Sequence, residues 1–366
     1  MRRCEVRSMK KSRKIFINNL ITYGIVVLAF IVCQLAVSGS IDGFKMSRSL
    51  KGQLIPICAW VVMAISLNLT VGISGELSLG HAGFMSIGAF SGIIVSTWLV
   101  SAFQLEIETL RLIIAMVAGG AFTAAAGVLI GIPVLRLRGD YLAIVTLAFG
   151  EIIRNVLNTL YFSVEGAKLH VAFNNPSLPG KMIFNGPAGA TGVDKISTFV
   201  MGFVLVMFTL FVVLNLINSR TGRAIMASRD NRIAAESMGV NVTKYKMIAF
   251  VTSAALAGMA GALYGLNFSS LTAVKFKFDT SIQVLVFVVL GGIGSIRGSV
   301  IAATLLTVLP EVLREFGDYR MLAYAIVLIV VMLATNSPAV MNLLTSVRTA
   351  GRKNKDKEKE KEGEAA

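Results

Sequence analysis

The sequence predicts an all-α polytopic membrane protein with about ten transmembrane helices, some of them short or broken, and with both termini in the cytoplasm. Of the 366 residues, 55% are hydrophobic and only 15% are charged, whereas soluble domains carry roughly 25% charged residues. Ten spans of about 20 residues would occupy about 200 residues, which is close to the apolar fraction. Soluble enzymes, nucleic-acid-binding domains and disordered scaffolds therefore fit this composition poorly.

Ten apolar stretches define the predicted helices, because lipid cannot satisfy exposed peptide groups and each span must form its own hydrogen bonds. They lie at about 16–37, 54–72, 77–100, 110–133, 140–161, 197–217, 247–267, 282–296, 298–314 and 319–338. The first stretch follows a basic head and resembles a signal peptide, but its apolar run is too long for one. We interpret it as a retained span whose N-terminus lies inside.

The distribution of Arg and Lys decides the number and direction of the spans. The region 282–314 could form one long span or two short ones. A single span would export the tail 348–366, which holds seven basic residues, against the positive-inside rule. Division at GGIGSIRG (291–298) gives ten spans, with 23 basic residues inside and 11 outside. The net charge of +15 is therefore an orientation signal, and nucleic acid is not needed as a partner to explain it.

The chain divides into three regions. A basic cytoplasmic head at 1–14 precedes a transmembrane domain at 15–345, which contains the long inside loop 218–246. A charged cytoplasmic tail at 346–366 is expected to be disordered, because it is highly charged and has few apolar residues to bury.

Cysteine and histidine usage predicts no metal or disulfide chemistry. The three cysteines are Cys4, Cys33 and Cys58. They form neither a CxxC pair nor a disulfide framework, and two histidines are too few for a visible metal cluster. The chain also lacks a Walker A sequence, so it cannot hydrolyse ATP through a P-loop of its own.

The inside loop 218–246 is too long to be a simple turn. Asn231 is a plausible N-cap and Gly239 is a plausible stop for a short amphipathic helix between them. Basic residues rim this helix: Arg229, Arg232, Lys244 and Lys246. The pattern is typical of a docking element at the cytoplasmic face. A basic loop held against anionic lipid headgroups is the alternative.

The run AAESMG (234–239) resembles the A-A-x-x-x-G core by which ABC importer permeases dock on their ATPase subunits, although Ile233 replaces the Glu that normally opens it. Four further segments strengthen the resemblance, namely SLGHAGFMSIGAF (78–90), RLRGDYLAIVTLAFGEIIR (136–154), SAALAGMAGALYG (253–265) and VLGGIGSIRGSVIAATLL (289–306). Together they resemble the LivM-type permease subunits of branched-chain amino-acid ABC importers over roughly 70–338.

The resemblance implies a transport subunit that is not itself an enzyme and that holds no cofactor, since ATP and Mg would bind to partner subunits. The implied partners are a second homologous permease, two ATP-binding cassette subunits, an extracytoplasmic substrate-binding protein and membrane lipid. The implied location is a bacterial or archaeal cell (inner) membrane. The residues implied in ATPase docking are Arg232, Ala234, Ala235, Glu236 and Gly239.

Polar residues inside the spans are candidates for the translocation path, because ionisable groups in a membrane are expensive and tend to be functional. His81 lies near the inside end of its span, where a hydrogen bond to a neighbouring helix is the main alternative. Glu151, Asn155 and Asn158 share one helix face with Arg154 beside it. A structural Glu151–Arg154 pair, a path lining and an outward-projecting helix end all remain open for this stripe.

Two glycine-containing segments carry further expectations. In LSLGHAGFMSIGAFSG (77–92) the small residues are spaced to let helices approach closely, and GGIGSIRG is typical of the moving or substrate-facing part of a transporter. Arg297 in that turn is expected to anchor it at the headgroups. The outside loop 162–196 could lie under a binding protein, although its Pro and Gly content is more typical of an irregular connection.

Three alternatives to branched-chain amino-acid import remain at this point. A urea or short-amide permease of the same superfamily is the nearest one, and the residues do not separate it. A self-contained secondary transporter or channel would use His81, Glu151 and Arg154 as a proton or ion path, but it would not need the docking loop. A membrane enzyme has little support, because no nucleophile–base pair stands at a recognisable spacing.

Overall fold

A computed structural model describes residues 22–24, 26–35, 48–137, 139–166, 168–173 and 178–336. Both the basic head at 1–14 and the charged tail at 346–366 lie outside the described residues, as does Cys4. The fold divides after Val308 into two units, which are described separately.

The described part of the chain is mostly helical. Its α-helices are α1 (Thr22–Leu35), α2 (Arg48–Asn68), α3 (His81–Phe103), α4 (Glu108–Val134), α5 (Asp140–Thr159), α6 (Phe199–Asn218), α7 (Arg220–Asp230), α8 (Arg232–Ser237), α9 (Val242–Gly265), α10 (Phe278–Gly291), α11 (Ile296–Val312) and α12 (Arg320–Asn336). The second unit begins at Leu309 and contains a 3-10 segment (Leu313–Tyr319) and α12.

Six of these helices are long and apolar enough to cross a membrane. They are Leu50–Ile73, His81–Phe103, Glu108–Val134, Tyr141–Thr159, Phe199–Asn218 and Val242–Gly265, with shorter apolar helices at Thr22–Leu35 and Phe278–Gly291. The prediction of a polytopic membrane protein is thereby confirmed. The number of ten spans and the cytoplasmic position of the termini stay predictions.

The region 282–314 is broken at the predicted position. Helix α10 ends at Gly291 and α11 begins at Ile296, and the turn between them uses positive φ angles at Gly292 (89°) and Gly294 (84°). Residues other than glycine rarely adopt such φ angles. The glycines of GGIGSIRG therefore reverse the chain within four residues.

The prediction of an all-α fold is wrong in one region, and so is the irregular connection expected at 162–196. A five-stranded antiparallel sheet in the order β2-β1-β3-β4-β5 is built from β1 (Leu160–Glu165), β2 (Lys168–Phe173), β3 (Lys181–Asn185), β4 (Ala190–Thr191) and β5 (Ser270–Leu271). Aromatic and β-branched residues dominate β1 and favour strands. Pairing between the strands satisfies the backbone groups that a loop would leave to water.

Helices α3, α4 and α9 form the centre of the first unit through contacts between small residues. A Cβ atom added at Gly88 would overlap the main chain of Gly258, and one added at Gly261 would overlap the Met85 carbonyl. Such close approach gains dispersion contacts along the whole interface, which is how helices associate where water is absent. The expectation of close helix approach in 77–92 is confirmed.

Connecting segments collect at two ends of this helical unit. The "loop end" comprises 74–80, 218–241 and 292–295, which are joined by contacts described below. The "sheet end" comprises 104–107, the sheet with its connections at 160–196, and 270–271. Helix α3 runs from the loop end to the sheet end, and α4 returns.

Candidate functional site

The 218–246 loop folds into two short helices, and local side chains begin each of them. Ser219 accepts a hydrogen bond from the Gly222 amide (3.1 Å) at the start of α7, and Asn231 accepts one from the Ala234 amide (3.0 Å) at the start of α8. Gly239 follows α8 with a φ of 79°. The short helix predicted between Asn231 and Gly239 is therefore present.

Helix α8 and the residue that follows it expose two large apolar side chains, which is unusual for a loop of mostly polar residues. Ile233 is 77% exposed and Met238 is 84% exposed, while the side chain of Ala235 is buried against the protein. Arg232 and Glu236 form an ion pair with 2.8 Å between Nε and Oε1. Of the predicted docking residues, Ala234, Glu236 and Gly239 are exposed and Arg232 is half-buried. The sequence analysis noted Ile233 only as a departure from the motif and did not single out Met238.

Two basic residues attach this loop to the segment that follows α2, one on each side of α8. The Arg229 Nη1 donates a hydrogen bond to the Gly72 carbonyl oxygen (2.8 Å), and its aliphatic part packs on Gly75. Lys246 forms an ion pair with Glu76, and the two side chains are only 12% and 14% exposed. Arg229 is nevertheless 39% exposed and also pairs with Asp230, as a rim residue can. The burial of Lys246 and its pairing with Glu76 were not predicted from the sequence.

The segment 69–80, which we call the hinge segment, departs from α-helical geometry. Leu69–Ile73 is a π-helix whose residues are all buried, and non-helical residues follow as far as Gly80. Single π-helical turns within α-helices are rare and frequent at functional sites. Gly75 has a φ of 76°, so the chain bends where Arg229 contacts it.

Asn68 connects the hinge segment to the turn between α10 and α11. Its side chain is completely buried, its Oδ1 accepts a hydrogen bond from the Gly294 amide (2.8 Å), and its Nδ2 donates one to the Ser299 Oγ (2.8 Å). The sequence analysis missed this residue. The sequence could have indicated it, because the carboxamide of Asn68 is a polar group inside the apolar stretch 54–72.

His81 is buried at the start of α3 and is only 2% exposed. Its Nε2 lies 2.8 Å from the Ser66 Oγ, and that hydroxyl donates to the Met63 carbonyl oxygen. The Ser66 hydroxyl therefore joins His81 of α3 to α2. This geometry favours the hydrogen bond between helices over a role in a water-filled path.

The polar stripe of α5 lies partly on the outside of the first unit. Arg154 binds Glu151 with 2.6 Å between Nη2 and Oε2, and these side chains are 21% and 34% exposed. Asn155 is exposed, and the Asn158 Oδ1 is buried without a hydrogen-bond partner among the described atoms. Within the described part of the chain, no hydrogen bond joins this stripe to His81.

The turn residue Arg297 contacts protein rather than standing free at its surface. Its Nε lies 2.6 Å from the Thr22 Oγ1 of α1. The expectation that Arg297 serves as a headgroup anchor is therefore replaced by a bond between the turn and the first helix.

At the sheet end, a cleft of about 570 Å³ lies between the end of α3, the start of α4 and the segment 194–196. Arg111 lines it and is 6% exposed, and its Nη2 lies 3.0 Å from the Asp194 Oδ2. Glu106, Glu108 and Lys195 also line the cleft. The sequence analysis identified none of these residues.

Metal-ligand chemistry is not apparent in the described part of the chain. Among those residues, no group of three or more His, Cys, Asp or Glu side chains is placed to hold a metal ion. Cys33 and Cys58 are free thiols.

The chain matches the family model described as "Branched-chain amino acid transport system / permease component" over residues 50–335. It is 36% identical over 305 residues to the high-affinity branched-chain amino acid transport system permease protein LivM of Salmonella typhimurium, covering 79% of this chain and 69% of LivM. It is 26% identical to LivH, a permease protein of the same-named system in that organism, over 68% of this chain and 80% of LivH. The fructose import permease protein FruG of Bifidobacterium longum is also 26% identical, over 70% of this chain and 72% of FruG. No solved structure matches the chain.

Proposed function

The chain belongs to the permease component family of branched-chain amino acid transport systems, and from that premise we propose that it forms one membrane-spanning half of an ABC importer for leucine, isoleucine and valine. The observation that carries the proposal is the 36% identity to LivM over 79% of the chain. The exposed Ile233 and Met238 support it as well, because an ATP-binding subunit docked on the loop would cover them.

Helix α8 is the proposed contact with an ATP-binding subunit. Exposed apolar residues at the centre of a polar surface are the usual anchors of protein interfaces, and Ile233 and Met238 have this character. The surrounding docking set is Arg232, Ala234, Ala235, Glu236 and Gly239. ATP and Mg would bind to the partner subunit, and this chain would convert the movement of that subunit into a change of the membrane path.

The loop end is proposed to face the cytoplasm and the sheet end the exterior of a bacterial or archaeal inner membrane. The positive-inside distribution of Arg and Lys supports this direction, with ten spans and both termini inside. The sheet and the cleft at Arg111 would then face the extracytoplasmic substrate-binding protein.

The α5 stripe of Glu151, Asn155 and Asn158 is proposed to face the translocation path, together with a second homologous permease. A polar stripe cannot face lipid without cost, and in the isolated chain Asn155 is exposed while Glu151 and Asn158 are half-buried. The similarity to both LivM and LivH, two permeases of a same-named system, supports a partner of related sequence. His81 is instead assigned to helix packing.

Reconstitution tests the function directly. The chain is co-expressed with the second permease and the ATP-binding subunits encoded in the same genome, placed in proteoliposomes with the binding protein, and assayed for ATP-dependent uptake of labelled leucine, valine and urea. We expect leucine and valine to accumulate and urea not to do so. Uptake of urea alone would assign the chain to the urea and short-amide importers, and uptake without any ATP-binding subunit would make it a secondary transporter.

The substitution Ile233→Asp tests the docking surface. A buried, unpaired carboxylate at an interface opposes association, so the variant is expected to lose copurification of the ATP-binding subunit while its own expression is unchanged. Val274→Asp is the matched control, because Val274 is an exposed apolar residue (45%) next to β5 at the sheet end. Equal copurification in the two variants would refute docking through α8.

A further inference from the structure

The hinge segment lies between the proposed docking loop and the turn that connects α10 to α11. It contacts the docking loop through Arg229 and Lys246 on one side, and it continues from Asn68, which holds Gly294 and Ser299, on the other. No further element intervenes in this series of contacts. The docking loop and the turn are thereby connected through one short piece of chain.

The two attachments of the loop are arranged on either side of α8. Arg229 stands in the last turn of α7, immediately before α8, and Lys246 stands in the second turn of α9, after it. Their partners, Gly72 and Glu76, are four residues apart in the hinge segment. A force on α8 can therefore reach the hinge segment at two points, through α7 and through α9.

The contacts on the far side of the hinge segment leave no free space. A Cβ atom added at Gly72 would overlap both the Asn68 side chain and the Gly294 backbone. A displacement of the π-helix must consequently displace the turn or break both hydrogen bonds of Asn68. Closely packed protein interiors respond in this way because they change between discrete packing arrangements and do not deform continuously.

We propose that Arg229 and the Lys246–Glu76 ion pair are positioning residues that transmit the movement of α8 through the hinge segment to the turn 291–298. The inference rests on the proposed function, since it takes α8 as the ATPase contact. The two attachments are distinct from the docking surface itself, because the Lys246 and Glu76 side chains are enclosed within this chain and not available to a partner.

The test replaces the charges of the Lys246–Glu76 ion pair, singly and together, in the reconstituted importer. Lys246→Gln or Glu76→Gln alone leaves a buried charge unpaired and is expected to impair folding. The double variant, with both changes, removes both charges; it is expected to assemble with the ATP-binding subunits and to hydrolyse ATP. Its uptake per ATP hydrolysed is expected to fall about tenfold, within the usual range of coupling between sites.

The reversed pair, Glu76→Lys with Lys246→Glu, is expected to restore that ratio, because it rebuilds the attachment with opposite polarity. A double Gln variant that transports at the wild-type ratio would overturn the inference, since the pair would then serve only to neutralise charge. Loss of ATP-binding subunits from the double variant would overturn it as well, because the pair would then belong to docking.

Substitution of Arg229 provides a second, separate test of the inference. Arg229→Ala removes the hydrogen bond to Gly72 together with the exposed ion pair to Asp230, and it is expected to lower uptake per ATP. Arg223→Ala is the control, because it removes an exposed guanidinium of the same helix that bonds only to the nearby Asn218 carbonyl oxygen. Equal ratios in these two variants would overturn the role of Arg229. Wild-type proteoliposomes that show no ATP-dependent uptake would instead refute the proposed function, and the two failures are therefore distinguishable.

Discussion

The two ends of the helical unit are held together in different ways. At the sheet end, repeated backbone hydrogen bonds connect β1, β2 and β3 along their length. At the loop end, single side chains bridge segments that are far apart in the sequence, as Lys246 does to Glu76 and Asn68 does to Gly294. A ladder of many bonds resists displacement of any one part, whereas a few discrete contacts can exchange one arrangement for another. The comparison indicates that the sheet end is a fixed frame and the loop end is the part built to move.

Each end also contains a buried basic residue, Lys246 at the loop end and Arg111 at the sheet end. The acidic partners of these two residues differ in their exposure to water. The Glu76 carboxylate is 14% exposed beside Lys246, but the Asp194 carboxylate is 65% exposed beside Arg111. Water screens the second pair and hardly reaches the first. The loop end therefore depends on its ion pair much more than the sheet end does.

The largest expected effect comes from Lys246→Met. This change leaves the Glu76 carboxylate buried without its partner, which costs about 3 kcal/mol or more. Thermal unfolding of the detergent-solubilised chain should show a clear fall in Tm. Lys244→Met removes an exposed charge of the same helix and should leave Tm unchanged. Similar Tm values for Lys246→Met and Lys244→Met would show that the buried ion pair does not stabilise the loop end.

An intermediate effect is expected for Asn68→Leu. The Gly294 amide and the Ser299 hydroxyl would lose their acceptor and donor, and each unsatisfied buried group costs about 1–3 kcal/mol. The measurement is Tm together with protease cleavage at the 292–295 turn, which should become accessible. Unchanged cleavage in the variant would show that Asn68 does not hold the turn.

The smallest effect is expected for Asp194→Asn at the sheet end. The amide oxygen keeps a hydrogen-bond acceptor for the Arg111 guanidinium, which is 6% exposed, and the carboxylate that is lost is 65% exposed and screened by water. Tm should fall by less than it does in Lys246→Met, where the remaining buried charge keeps no partner. A fall in Tm as large as that of Lys246→Met would remove the contrast between the two ends.

Features with local causes were predictable from the sequence. Asn231 and Gly239 begin and end α8 through their own side chain and backbone freedom, and GGIGSIRG breaks the helix through its glycines. The long apolar helices and the family motifs were also read correctly. These signals lie within a few residues of the structure that they determine.

Features with distant causes were not predictable in this way. Lys246 and Glu76 stand 170 positions apart, and Asn68 and Gly294 stand 226 apart, so nothing in either neighbourhood indicates the partner. The sheet was missed because the Gly and Pro content of 162–196 suggested an irregular loop, although the aromatic and β-branched run in β1 favours a strand. Its fifth strand comes from 270–271, outside that loop altogether.

The π-helix at Leu69–Ile73 has one further consequence. A π-turn accommodates one residue more than an α-turn, so this helix carries a single residue of slack just before the chain bends toward α3. Taking up that residue in an ordinary α-turn would rotate the chain beyond it by about 100° and advance it by about 1.5 Å. Gly72 and its carbonyl would then leave Arg229 and Gly294 together. A change of register at this turn would therefore separate the hinge segment from the docking loop and from the 292–295 turn in one step.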